Sequence, residues 1–234
     1  MFKERSQETE LMDDLDLVGE DLKKNLDELE FINYWLGGHK VVTSALNQLL
    51  PRLRQLNRPV TIADMGCGGG DTLRQVAKWA RKKGLEVNLT GIDANAFMLQ
   101  YARSRNQDFP EINLQQHNIF SEAFKQQRYD VLICSLFCHH FSDQSLTGML
   151  RQLYRQANVA VVVNDLHRHP LAYYSIKGLT QLFSGSYLVK NDAPLSVLRA
   201  FRRPELEKIL AAAGIENYQL NWFWAFRWRV LLLK

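Results

Sequence analysis

The 234-residue sequence predicts an α/β architecture, a doubly wound sheet of seven strands with an antiparallel last strand. Three observations carry this prediction. An apolar run ending in Asp64 is followed by glycines at 66, 68 and 70 and by a helical pattern from Asp71, which reads as strand, tight turn and helix. A second apolar run ends in Asp93, 29 residues after Asp64, about the length of one β-α-β unit. Strand-like and helix-like segments then keep alternating until two strand-like segments stand together at the end.

Ahead of the sheet, Leu11, Leu15, Val18, Leu22, Leu26 and Leu29 recur at three- and four-residue spacing. They predict an amphipathic helix over 8–30, broken near Gly19. Residues 31–50 read as further helix, interrupted at Gly37-Gly38, and Leu50-Pro51 to Pro59 as a stop and a connector. Strands are expected at 60–64, 87–92, 112–116, 129–134, 158–164, 215–220 and 226–233. Helices are expected at 71–83, 95–105, 121–126, 143–156 and 204–213, the last ending at a C′ glycine, Gly214. A mostly helical insertion fills about 170–200. The organisation expected is a helical N-terminal extension, 1–58, covering the active site, and a sheet domain, 59–234, with the insertion as its lid. A ligand would bind at the carboxyl ends of the strands, near the point where the strand order reverses.

Composition bounds the function. The chain is 46% hydrophobic, enough for one sizeable core. Cys67, Cys134 and Cys138 show neither metal spacing nor a disulfide framework, which suits a reducing, cytoplasmic compartment. No secretory signal and no 18-residue apolar stretch are visible, so neither export nor a membrane span is expected. The net charge of +4 is unevenly spread, because residues 1–30 hold 11 acids against 4 bases. That acidic arm either docks on the basic body or is solvated, and solvation is the default. Arg81-Lys82-Lys83 is the best basic run and reads as a helix end, so no nucleic-acid partner is expected.

The glycine spacing discriminates between cofactors. A dinucleotide fingerprint, G-x-G-x-x-G, would put its third glycine at Asp71 or Leu73, so a nicotinamide oxidoreductase is disfavoured. The pattern present, Asp64-x-Gly66-Cys67-Gly68-x-Gly70, resembles motif I of the class I S-adenosylmethionine-dependent methyltransferases. The resemblance covers residues 60–233 and is narrower for small-molecule enzymes of quinone, phenol and polyketide pathways. Arg202 to Ile215 looks like their closing helix-to-strand segment, and Asn33 to His39 like the helical cover of some. It implies a Rossmann-like fold and S-adenosylmethionine as cofactor. The cofactor contacts implied are Asp64, Gly66, Cys67, Gly68 and Ser135, with Asp93 on the ribose, Ala94 packing on the adenine, and Asn118 and Ile119 at the adenine edge.

Candidate catalytic residues follow the fourth and fifth strands. Cys134-Ser135-Leu136-Phe137-Cys138-His139-His140 offers either histidine as a base, with an ordinary pKa of about 6.5. Asp165 ends the fifth strand, with His167 two residues on and Arg168 available to a phenolate or carboxylate. The adjacent histidines, with His117, His167 and His169 elsewhere, offer no recognised ligand spacing, so no metal is expected. The insertion, with Leu171, Tyr173, Tyr174, Ile176 and Leu179, suggests a small apolar acceptor such as a phenol, quinol or polyketide. O-methylation is favoured and C-methylation stands next. Exposed members of the aromatic group Trp222 to Trp228 would suit a homodimer. The competing reading is a non-catalytic S-adenosylmethionine-binding protein that supports a partner.

Overall fold

The computed structural model describes residues 2–234. Its centre is a seven-stranded sheet of β1 (Val60–Met65), β2 (Val87–Asp93), β3 (Ile112–Gln116), β4 (Tyr129–Ser135), β5 (Ala157–Leu166), β6 (Tyr218–Phe223) and β7 (Arg227–Leu233). The strand order is β3-β2-β1-β4-β5-β7-β6. β1 to β5 pair in parallel, and β7 is antiparallel to both β5 and β6. The antiparallel last strand therefore lies inside the sheet, because the short β6–β7 turn folds β7 between β5 and β6.

The helices are α1 (Glu20–Trp35), α2 (Gly38–Arg54), α3 (Asp71–Lys83), α4 (Ala96–Arg105), α5 (Glu122–Lys125), α6 (Asp143–Gln156), α7 (Pro170–Phe183), α8 (Tyr187–Arg199) and α9 (Arg203–Ala212). Each β-α-β crossover covers one sheet face. The buried residues of α2 and α3 pack with Ile62, Val131 and Ile133, whereas those of α6 and α9 pack with Ala63, Leu132 and Cys134 on the opposite face. This division follows from the period of two along each strand. Burying a leucine such as Leu46 contributes about 1.5–3 kcal/mol.

Three N-terminal expectations need correction. Residues 8–19 are not α-helical: Leu11–Asp13 form a single 3₁₀ turn, and the first α-helix begins only at Glu20. The apolar spacing there is real but unused, since Leu11, Leu15 and Val18 are exposed. Pro51 does not end α2, which runs on to Arg54 because Leu53 is buried against the sheet. α2 is in fact one of the sheet's covering helices, sharing a core with β1 and β4. The acidic arm is docked rather than solvated. Ser6 N bonds Leu198 O, the Leu11 and Met12 amides donate to the Asp192 carboxylate, and Asn95 donates to the carbonyls of Leu15 and Leu17.

Candidate active site

The glycine turn at the end of β1 is built by backbone conformation. Gly66, Gly68 and Gly70 have φ of +64°, +49° and +73°, a region costly for any residue with a Cβ. A Cβ on Gly66 would also stand 2.2 Å from the Phe137 ring. The turn delivers the chain into α3, whose first residue is Asp71.

Three carboxylates surround this turn. Asp64 is buried, its Oδ1 has no hydrogen-bond partner, and burial together with Asp71 and Asp93 pushes its pKa well up. Burial alone would raise Asp71, but His39, 2.7 Å away, and Asn33, 3.0 Å away, bring it below the usual range. Asp93 accepts from the amides of Gly68 and Asn95, and burial still leaves its pKa raised. An orphaned carboxylate oxygen among three acids suits a ligand bearing positive charge and opposes a pyrophosphate. S-adenosylmethionine, with its sulfonium and ammonium groups, fits that test.

Beyond the ends of β4 and β5, two imidazoles are each held by a carboxylate. His139 Nδ1 lies 2.7 Å from Asp165 Oδ1, and the His139 amide donates to Asp165 Oδ2. Burial would raise the Asp165 pKa, but the His139 contact outweighs it and holds the carboxyl low. His140 Nδ1 lies 2.5 Å from Asp13 Oδ1 of the docked arm. Burial again opposes, and the bond to His140 leaves Asp13 net lowered. The same arm brings in Glu10, whose pKa burial pushes up to about 7. Arg199 ties the group together, donating to the carbonyls of His139 and His140, to Glu8 O and to Asp13.

A single cavity of about 520 Å³ joins the glycine turn to these imidazoles. Its apolar wall comes from Leu36 of α1's end, Leu166, Ile176 and Leu179 of α7, and Trp222 and Trp224 of the last hairpin. Leu179, Trp222 and Trp224 are also exposed, so the mouth of the cavity is apolar and largely aromatic. Arg227, fully buried at the start of β7, faces the cavity with Nε and Nη1 unpartnered, and burial lowers its pKa to about 10. A ligand carboxylate would satisfy it.

The fold recurs in enzymes of known chemistry. Human N-acetylserotonin methyltransferase, in complex with SAM, aligns with a TM-score of 0.63 at 17% identity over 92% of this chain and 55% of its own. Magnesium protoporphyrin IX methyltransferase from Synechocystis PCC 6803, with bound SAH, aligns at 0.54 with 18% identity over 84% of this chain and 82% of its own. The CMeT domain of the citrinin polyketide synthase aligns at 0.57 with 15% identity over 75% of this chain. The present chain spans 46% of that structure's length. No curated protein matches the sequence. A family model described as a methyltransferase domain matches residues 62–159. Residues 62–159 are thus similar to a methyltransferase domain, and the chain has the fold of these methyltransferases.

Within this fold, Asp64, Gly66, Cys67, Gly68, Ser135, His139, His140 and His167 all line the cavity. Asp165 lies behind His139 and reaches the cavity only through that ring. Asp93, Ala94, Asn118 and Ile119 stand at the ends of β2 and β3 but outside the cavity lining, where Leu15–Leu17 of the arm are fastened to Asn95. Asn118 Oδ1 is taken by the Phe120 amide. Arg168 is turned to structural work, bonding Ala200 O, Phe2 O and Glu205. His167 accepts from Trp222 Nε1 at 3.3 Å, and burial with His169 lowers its pKa. Sequence reasoning missed Glu10, Asp13, Asp71 and Arg227. Only Asp71 carried a signal, as the acid opening the helix after the glycine turn.

Proposed function

We propose that the methyltransferase acts on a small, mostly apolar acceptor of phenol, quinol or polyketide type, with a hydroxyl oxygen as the favoured methyl acceptor and an activated ring carbon next. One observation carries the reading: the cavity that begins at the cation-favouring glycine turn ends at two carboxylate-held imidazoles and opens through aromatic walls.

Asp64, Gly66, Cys67, Gly68 and Ser135 would hold the cofactor, with Arg227 on its carboxylate and Asp93 at the ribose. When bound, the cofactor supplies an electrophilic methyl group on a sulfonium. The chain's own task is to align the acceptor, keep water out and receive a proton. Asp165 and Asp13 occupy Nδ1 of His139 and His140, which leaves Nε2 of each ring as the proton acceptor. His167 lies on the same wall, but its Nδ1 already accepts from Trp222 Nε1 and would have to release that bond to take the proton. The apolar mouth selects the acceptor by desolvation rather than by charge.

The test is transfer of labelled methyl from S-adenosylmethionine to a panel of phenols and quinols. Turnover is expected with at least one of them, and His139→Asn and His140→Asn should each lower kcat by about 10²–10⁴-fold while S-adenosylhomocysteine affinity stays unchanged. Tight S-adenosylhomocysteine binding with no methylated product across the panel would overturn the acceptor class.

A further inference from the structure

We infer that Glu10, His139 and His140 form a binding site for one zinc-class divalent cation at the acceptor end of the cavity. The inference rests on reading this cavity as the acceptor site.

One ligating atom from each of the three residues lies within 4.8 Å of the others. Glu10 Oε1 and His139 Nε2 are 3.6 Å apart, too far for a hydrogen bond. Glu10 Oε1 is buried and has no hydrogen-bond partner. A tetrahedral ion with ligand bonds of 2.0–2.1 Å spaces its ligand atoms about 3.3 Å apart. The observed gap is therefore near that of two atoms facing each other across an ion. Drawing the third atom in takes a movement of at most about 1.5 Å, within ordinary side-chain adjustment.

The surrounding shell is that of a metal centre. Metal-bound histidines donate the other ring N–H to a carboxylate, a backbone carbonyl or a water, which fixes tautomer and orientation. His139 has Asp165 on Nδ1 at 2.7 Å, and His140 has Asp13 on Nδ1 at 2.5 Å. The second oxygen of Glu10 accepts from Ser196 Oγ at 2.9 Å. Each of the three groups is thus oriented by an outer partner. Arg199 reaches Asp13 at 2.9 Å and Glu10 at 3.7 Å, and so holds both arm carboxyls beside the imidazoles.

Two imidazoles and one carboxylate select zinc or a similar first-row ion over magnesium or calcium. All three residues line the cavity, so the fourth coordination position faces the acceptor. An ion there would lower the pKa of a bound hydroxyl and so replace the imidazoles as the means of activating it.

The test uses the full chain, stripped of metal and titrated with Zn²⁺ by calorimetry, with S-adenosylhomocysteine titrated in parallel. One equivalent of Zn²⁺ is expected to bind. Glu10→Gln and His140→Ala should each weaken it by more than about 100-fold, beyond the 10–100-fold typical of outer partners, while S-adenosylhomocysteine still binds. Co²⁺ should give the intense visible absorption of a four-coordinate site in the unaltered chain, a readout that needs no variant. Absence of stoichiometric Zn²⁺ binding, unchanged affinity in both variants, or only the weak spectrum of six-coordinate Co²⁺ would overturn the site. Intact S-adenosylhomocysteine binding with no Zn²⁺ site strikes this inference alone. Failure to bind S-adenosylhomocysteine strikes the cofactor reading instead.

Discussion

Gly66 shows how much one residue can be constrained by position. Its φ of +64° and the Phe137 ring 2.2 Å from a built Cβ act independently, so trimming Phe137 would relieve only one of them. Gly66→Ala is expected to lower stability by about 1–2 kcal/mol from the backbone alone, read as a fall in Tm, and to weaken S-adenosylhomocysteine binding in calorimetry. Asp93 is the residue proposed for the ribose end of the cofactor. Asp93→Ala should weaken binding by roughly 1–3 kcal/mol if its carboxylate meets the ribose. An unchanged affinity would remove Asp93 from the cofactor contacts and leave it as the acceptor for the Gly68 and Asn95 amides. The placement of Asp64, Gly66, Gly68 and Asp93 at or just beyond the ends of β1 and β2 was legible in the sequence, because the apolar runs define where those strands stop. Arg227 was not, since nothing local distinguishes a cavity-facing arginine from one of several in a basic chain.

At the scale of elements, the sheet and its crossover helices follow local pattern closely, and the N-terminal segment does not. Leucines at helical spacing failed to make a helix before Gly19 because the segment's polar groups are committed elsewhere. The Leu11 and Met12 amides go to Asp192, and the Glu10 and Asp13 side chains go to Ser196, His140 and Arg199. Tertiary partners outweighed propensity, which is worth only tenths of a kcal/mol per residue. The opposite edge of the sheet shows a polar clasp that joins strands. Asp130 at the start of β4 accepts from Arg58 twice at 2.7 Å, from Thr61 of β1 and from Asn158 of β5. Although burial opposes it, these bonds hold the Asp130 pKa at about 2. A depressed carboxyl stabilises the fold above its unfolded pKa, near 3.8, and loses that contribution as pH falls through about 2. Asp130→Asn should therefore cost about 2 kcal/mol at neutral pH and flatten the acid limb of stability between about pH 4 and 2. Urea unfolding across that range checks it; parallel acid limbs for the two proteins would show that the clasp does not set the pKa.

At the scale of the whole molecule, the cavity is assembled from parts far apart in sequence: the arm, α1, the glycine turn, the loop after β4, α7 and the last hairpin. The arm supplies Glu10 and Met12 to the wall and holds His140 through Asp13. A chain lacking residues 2–18 should keep its sheet, because the two large core clusters contain no residue of the arm. It is expected to lose methyl transfer to any acceptor by at least 10²-fold, measured with the labelled cofactor, with far-ultraviolet dichroism showing the core intact. Full activity in that chain would make the arm a bystander.

By itself the sequence determined the doubly wound sheet and the glycine turn, whose resemblance to a known motif suggested the cofactor. Each of these is written in short-range pattern: the period of strands, the spacing of glycines and the acid at a strand end. Only the tertiary structure decided that the acidic arm docks and that Asp13 and Glu10 meet His140 and His139. Those contacts span more than a hundred residues, and no local pattern encodes a pairing whose energy is gained only when the chain has closed on itself.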